Sequence, residues 1–158
     1  MPASESPATG CVFCDLTTDP TPLVNRLVYE DESFYVSHQM NEGGLTYLGV
    51  LLIQAKRHVP NLAALSDMES ERLGWLIGRV SRALLNCTAA AWTYCFGFTE
   101  GYRHVHVLVA ARYPAMPKEY VRLAFADWPD APRGGRAEVV ALSAQLRSEI
   151  RSPAPKQS

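Results

Sequence analysis

The 158-residue chain has very little net charge: 15 Lys and Arg against 16 Asp and Glu leave a formal -1. With an isoelectric point near 6.4, it has no long-range field for gathering a polyanion, so a nucleic-acid polymer is not an expected partner. Any anionic ligand has to be held by a few local groups. No apolar run approaches the roughly 18–20 residues of a membrane span, and "MPASESPATG" lacks the basic and apolar regions of a secretory signal. The expected place is therefore the cytoplasm, with no membrane partner. Cysteine is scarce as well, with four in all, and a reducing compartment makes them poor disulfide partners. Histidine also numbers only four, and two of these stand one residue apart, in "YRHVHVLVAARY".

What is present is enough for one core. At 47% hydrophobic and this length, a single domain over residues 11–150 is expected, with a flexible leader at 1–10 and a flexible tail at 151–158, both too poor in apolar side chains to offset the entropy of ordering. There is no internal repeat. "RLVYEDESFYVSHQ" alternates about Glu30-Asp31-Glu32 and reads as a hairpin, and "YLGVLLIQAK", more continuously apolar, as a third and central strand.

The period then changes. Ser66-Asp67-Met68-Glu69 has the form of a capping box, and Leu73, Leu76, Ile77, Val80, Ala83 and Leu84 follow at three- and four-residue steps, which predicts a helix of roughly 18–20 residues across one sheet face. "AAAWTYCFGF" and "YRHVHVLVAARY" read as two more strands, and "AEVVALSAQLRSEI" as a closing helix. Three strands, a helix, two strands and a helix point to an α+β fold with a mainly antiparallel sheet.

A strand period of two puts His104, His106, Leu108 and Ala110 on one face and Val105, Val107 and Val109 on the other. The valine face is core. The histidine face then buries imidazoles, which is costly unless each ring nitrogen finds a hydrogen bond, a metal or a ligand. Two satisfied structural histidines are one reading. The Cys11-x-x-Cys14 pair points to another, because two thiolates at this spacing clasp one tetrahedral ion that needs two further nitrogen or sulfur ligands, and histidines can complete it. A redox dithiol is the weaker alternative, since no strand precedes the pair.

"CVFCDL", "VLLIQAKRHVPNLAALSD" and "RHVHVLVAAR", in that order, resemble the three signature regions of the histidine triad (HIT) proteins. The resemblance covers about residues 11 to 113. It implies an α+β, HIT-like protomer that dimerises and acts on a nucleotide or nucleotide conjugate. The family pattern His-φ-His-φ-His-φ-φ places its first histidine at His104, its nucleophile at His106 and its third position at Leu108. A competing register starts at Tyr102 and makes His104 the nucleophile. The preferred register joins His104 to Cys11, Cys14 and His58 as the structural zinc site of family members with an N-terminal Cys-x-x-Cys. It also leaves Arg112 where diadenosine-polyphosphate hydrolases of the family place an arginine. Phe13 and Leu16 would line the nucleotide pocket, and His38 or Gln39 would contact the ribose.

The chain departs from the family at several of these positions. Leu108 cannot donate to a phosphate oxygen, and a missing transition-state donor costs about 3–4 kcal/mol. The family's Gly-His before Lys56 is Gly49-Val50, and the polar pair before the triad is Glu100-Gly101. Gly101 is carried over as a substrate contact, with Arg103 and Arg112 able to offset the Glu100 carboxylate.

Other features have plainer readings. Cys87 and Cys95 read as small buried hydrophobes, and Trp75, Trp92 and Trp128 as core anchors. Lys56-Arg57 reads as a solvated strand end or a phosphate contact, and Arg133-Gly134-Gly135-Arg136 as a loop without the context of a phosphate cradle. Three functions follow. The first is a HIT-like hydrolase or nucleotidyl transferase acting at a nucleotide phosphoanhydride, phosphoester or phosphoramidate through His106. The second is a non-catalytic, zinc-stabilised nucleotide-binding protein. The third, independent of the family, makes His104, His106 and Glu100 ligands of an open catalytic metal.

Overall fold

The computed structural model describes residues 10–152 apart from Glu42 and Phe98. Most of the expected leader and tail, residues 1–9 and 153–158, lies outside the described residues. In chain order the elements are α1 (Val12–Thr18), β1 (Leu27–Glu30), β2 (Phe34–His38), β3 (Thr46–Tyr47), β4 (Val50–Ala55), α2 (Asp67–Cys87), β5 (Trp92–Phe96), β6 (His106–Arg112), β7 (Arg133–Gly134) and α3 (Arg136–Arg151). No helix among the described residues is long and apolar enough to cross a membrane.

The fold is α+β. Five strands form one antiparallel sheet in the order β1-β2-β4-β6-β5, so β4, the most continuously apolar segment, takes the centre. α2 begins at Ser66 as its capping box predicts: the Ser66 hydroxyl accepts from the Glu69 N–H, and the Glu69 carboxylate accepts from the Ser66 N–H at 2.8 Å. The apolar stripe of α2, with Leu73, Leu76, Val80, Ala83 and Leu84 buried, joins Val36, Ile53, Val107 and Val109 in the core. The cap is pinned to the end of β4 by Arg57, which holds Glu69 at 2.6 and 2.7 Å and so draws the carboxyl down to about 2. α3 packs on α2 and β1, and Arg79 donates to the carbonyls of Ile150 and Ser152 at its C-terminal end.

Several expectations need correcting. The predicted third strand breaks into β3 and β4 at Gly49, where φ is +87° and a Cβ would meet the Ala111 Cβ at 2.8 Å, so only glycine fits. β6 starts at His106, and residues 101–104 form bends that lead into it. The Arg133-Gly134-Gly135-Arg136 segment is not a loop: β7 pairs with β3, and Gly135 caps α3, its N–H donating to Glu138 at 2.9 Å. Trp128 is buried, but Trp75 is 42% and Trp92 56% exposed. Each lies under a guanidinium, Arg72 at 4.0 Å and Arg112 at 4.5 Å, which keeps these rings on the surface. Cys95 lies exposed on the edge strand β5, and Cys87 is half-buried.

A candidate metal cluster beside a half-buried imidazole

Two short-range rules bring the cysteines together. Cys11 is the residue before the first turn of α1 and Cys14 lies three positions on, a spacing that puts both sulfurs on one side of the helix start. Across from them, the turn after β4 carries His58, and the bend before β6 carries His104. Two backbone hydrogen bonds clamp these segments, Ala55 N–H to Val105 at 3.0 Å and Val105 N–H to Val59 at 2.7 Å. The ligand atoms of Cys11, Cys14, His58 and His104 consequently lie within 4.8 Å of one another.

The donor set fits zinc. A tetrahedron with Zn–S near 2.3 Å and Zn–N near 2.0–2.1 Å has sulfur-to-nitrogen edges of about 3.6 Å. Here the edges are 3.3 Å from Cys11 Sγ to His104 Nδ1, 3.4 Å from Cys14 Sγ to His58 Nδ1 and 3.6 Å from Cys14 Sγ to His104 Nδ1. The His104 Nε2–H donates to the Ala55 carbonyl at 2.7 Å, which leaves the Nδ1 lone pair facing the thiolates. His104 is fully buried, and desolvation holds its imidazole below the usual range.

The neighbouring ring is differently committed. His106 Nδ1–H donates to the His104 carbonyl at 2.8 Å, so its acceptor nitrogen is Nε2. Phe13 lies nearly flat on the ring, with centroids 4.7 Å apart and planes 26° apart, and Tyr102 meets it edge-on at 6.3 Å. His106 is half-buried. His104, by contrast, has Nε2 on the Ala55 carbonyl and Nδ1 toward Cys11 and Cys14. His104 and His106 turn to different partners, and Glu100 lines a surface cavity of about 370 Å³ with Arg103, Thr99, Pro60 and Asn61.

The remaining predicted residues are dispersed. Leu16 is half-buried on α1, and Gly101 and Arg103 are exposed in the bend before β6. Leu108, two residues on from His106, is opposite Leu52 on one side and Phe96 on the other. Arg112 is six residues along β6 from His106 and stacks on Trp92. Gln39 is exposed, but His38 is fully buried. Its Nδ1–H donates to the Gln39 carbonyl at 2.6 Å and its Nε2 accepts the Gly49 N–H at 2.9 Å, so both ring nitrogens are engaged within the fold. Lys56 and Arg57 are tied to Glu30 and Glu69. A further cavity of about 590 Å³, lined by Asp31, Glu32, Arg72 and Trp75, involves none of the predicted residues.

Sequence reasoning missed two residues on the His106 face of the sheet. Gln54 and Ser37 are fully buried, and neither side chain has a hydrogen-bond partner. The signal for Gln54 was available: one amide in the otherwise apolar run "VLLIQA".

No family model matches the sequence, and no curated protein does either. Solved structures do match. A hypothetical histidine triad nucleotide-binding protein from Sulfolobus tokodaii superposes with a TM-score of 0.66 at 18% identity, over 89% of this chain and 91% of that one. A zinc-bound histidine triad family protein from Mycobacterium smegmatis gives 0.63 at 23% identity, over 89% and 93%. A Hit-like protein involved in cell-cycle regulation from Bartonella henselae gives 0.63 at 16% identity, over 91% and 99%. The order of strands, the long helix on the sheet and the extent of these superpositions lead to one conclusion: the chain has the fold of the histidine triad proteins.

Proposed function

We propose that the protein is a zinc-stabilised HIT-like enzyme, hydrolysing or transferring a nucleotidyl group from a phosphoanhydride, phosphoester or phosphoramidate, with His106 as nucleophile. One observation supports this above others. The hydrogen bond from His106 Nδ1 to the His104 carbonyl fixes the tautomer whose Nε2 carries an in-plane lone pair. That nitrogen attacks the α-phosphorus, a P–N bond forms, and the bond from phosphorus to the leaving group breaks. Water then attacks phosphorus, the P–N bond breaks, and the nucleoside monophosphate leaves with the imidazole neutral again. Splitting one displacement into two and holding the ring in line are what this chain contributes.

Cys11, Cys14, His58 and His104 would hold the zinc, which supplies a structural cross-link between α1, the turn after β4 and the start of β6. Four protein ligands leave no position for substrate. Because His104 also offers the carbonyl that orients His106, the cross-link and the nucleophile share one residue.

The protein is read as a cytoplasmic homodimer. Of the two edge strands, β1 has α3 packed on it, whereas β5 carries the exposed Trp92 and Cys95, which favours the β5 edge as the place where a second copy pairs. Trp92→Lys is expected to yield a monomer in sedimentation. A variant that stays dimeric places the interface elsewhere.

A second reading has its own observation. Leu108 stands where the family's third histidine would donate, which favours a protein that binds nucleotides without turning them over. Incubation with adenosine phosphoramidate, AMP-lysine analogues and diadenosine polyphosphates separates the two. AMP release that disappears in His106→Ala supports the enzyme, and bound nucleotide with no AMP supports the binding protein.

A further inference from the structure

We infer that Gln54, assisted by Ser37, is the base-reading element of the His106 site: its side-chain amide hydrogen-bonds the edge of the nucleobase whose phosphate His106 meets. The inference rests on the nucleotide reading above and deepens it.

Antiparallel pairing sets Gln54 directly opposite His106, so the two side chains leave the same face of the sheet with Cβ atoms about 5 Å apart. Ser37 is on that face too. It lies opposite Leu52, one step diagonal from Gln54, which is itself opposite Tyr35. Gln54 Nε2 and Oε1 and Ser37 Oγ are all sealed from solvent and all without a partner. A buried polar group left unpaired costs about 1–3 kcal/mol, and here three such atoms cluster on two adjacent strands. Leu52, between the two strand positions, is apolar, as is Leu108 beyond it, so these neighbours offer no relief.

The atoms missing their partners define the partner. A carboxamide presents one acceptor and a donor side by side, the complement of a purine or pyrimidine edge, where a donor and an acceptor also sit side by side. Phosphate matches it poorly, because Oε1 would face another acceptor. The flat group that Gln54 reads needs a stacking surface, and Phe13 already lies flat on His106 at 4.7 Å. Gln54 is fully buried, so a base that reaches it displaces the side chains above this part of the sheet, and Phe13, stacked on the adjoining His106, is the ring placed to restack on it. The hydroxyl of Ser37 then takes a second position on the same edge, donating or accepting as the base requires.

The test is calorimetric titration of the full chain with AMP, GMP, CMP, UMP and ribose 5-phosphate, repeated with Gln54→Leu and Gln54→Glu. The wild type is expected to prefer one nucleotide over ribose 5-phosphate. Gln54→Leu is expected to lose about tenfold for that nucleotide and nothing for ribose 5-phosphate, with no fall in its urea midpoint, because an apolar group replaces an unpaired amide. Gln54→Glu keeps the shape, loses the donor and is expected to shift the order of preference. Unchanged base preference in both variants overturns the inference, as does a destabilised Gln54→Leu whose preference is intact. A wild type that binds ribose 5-phosphate as tightly as any nucleotide overturns it while leaving the phosphate chemistry standing. A wild type that binds none of the five overturns the nucleotide reading itself.

Discussion

The Nε2 of His104 lies 2.7 Å from the carbonyl oxygen of Ala55, at the end of the central strand. The bond fixes the ring so that its other nitrogen faces Cys11 and Cys14, and it ties a candidate metal ligand to the central strand of the sheet. Metal analysis of the purified protein is therefore expected to give one zinc per chain. Cys14→Ser is expected to lose the metal and about 4 kcal/mol or more of stability, and a strong chelator to lower the wild-type unfolding midpoint. A metal-free wild type of undiminished stability contradicts the assignment.

His38 is expected to act on stability and not on binding. His38→Leu leaves the Gly49 N–H and the Gln39 carbonyl without their partner, at a cost of about 2–4 kcal/mol. Burial lowers the folded pKa of His38, so the unfolded chain binds the proton more readily. Its contribution is complete above about pH 6.5 and is lost as the pH falls below that value. Urea midpoints measured from pH 8 to pH 5 should fall less steeply in the variant. A loss of nucleotide affinity at unchanged stability would restore the ribose contact read from the sequence.

Glu69 adds a second, more acidic transition. With its folded pKa near 2 against an ordinary value of 4.5, it supports the fold fully above about pH 4.5 and loses that support as the pH falls toward 2. Arg57→Ala removes the main cause of the shift. Because the pair is solvent-screened, the change is expected to cost about 0.5–1 kcal/mol at pH 7 and to flatten the acid limb, as read by circular dichroism at stepped pH. An acid limb identical to that of the wild type assigns the shift to the capping hydrogen bonds alone.

Much of the fold was legible because it is written in local patterns. The Ser66-Glu69 cap and the leucine spacing behind it locate α2, and the alternation about Asp31 gives the first hairpin. The grouping of four candidate ligands was legible through the Cys-x-x-Cys spacing together with the resemblance that supplied His58 and His104. What was not legible depends on distant backbone. Two-residue strands such as β3 and β7 carry no period to read. The role of His38 follows from a Gly49 N–H that only the folded strand delivers, and Gly49 in turn is required by the Cβ of Ala111, more than sixty positions away. Trp75 and Trp92 were placed inside by composition. The guanidinium groups that cover them appear only when α2 and β5 are formed.

The central claim is that the imidazole at position 106 bonds to phosphorus, and the most direct measurement is of that bond. Wild type and His106→Ala are mixed with adenosine phosphoramidate, quenched under conditions that preserve P–N bonds, and examined by intact mass and phosphorus resonance. We expect an adenylyl adduct on the wild type, mapped to His106 and absent from the variant, which still folds. An adduct on another residue, or AMP release that survives in His106→Ala, contradicts the account.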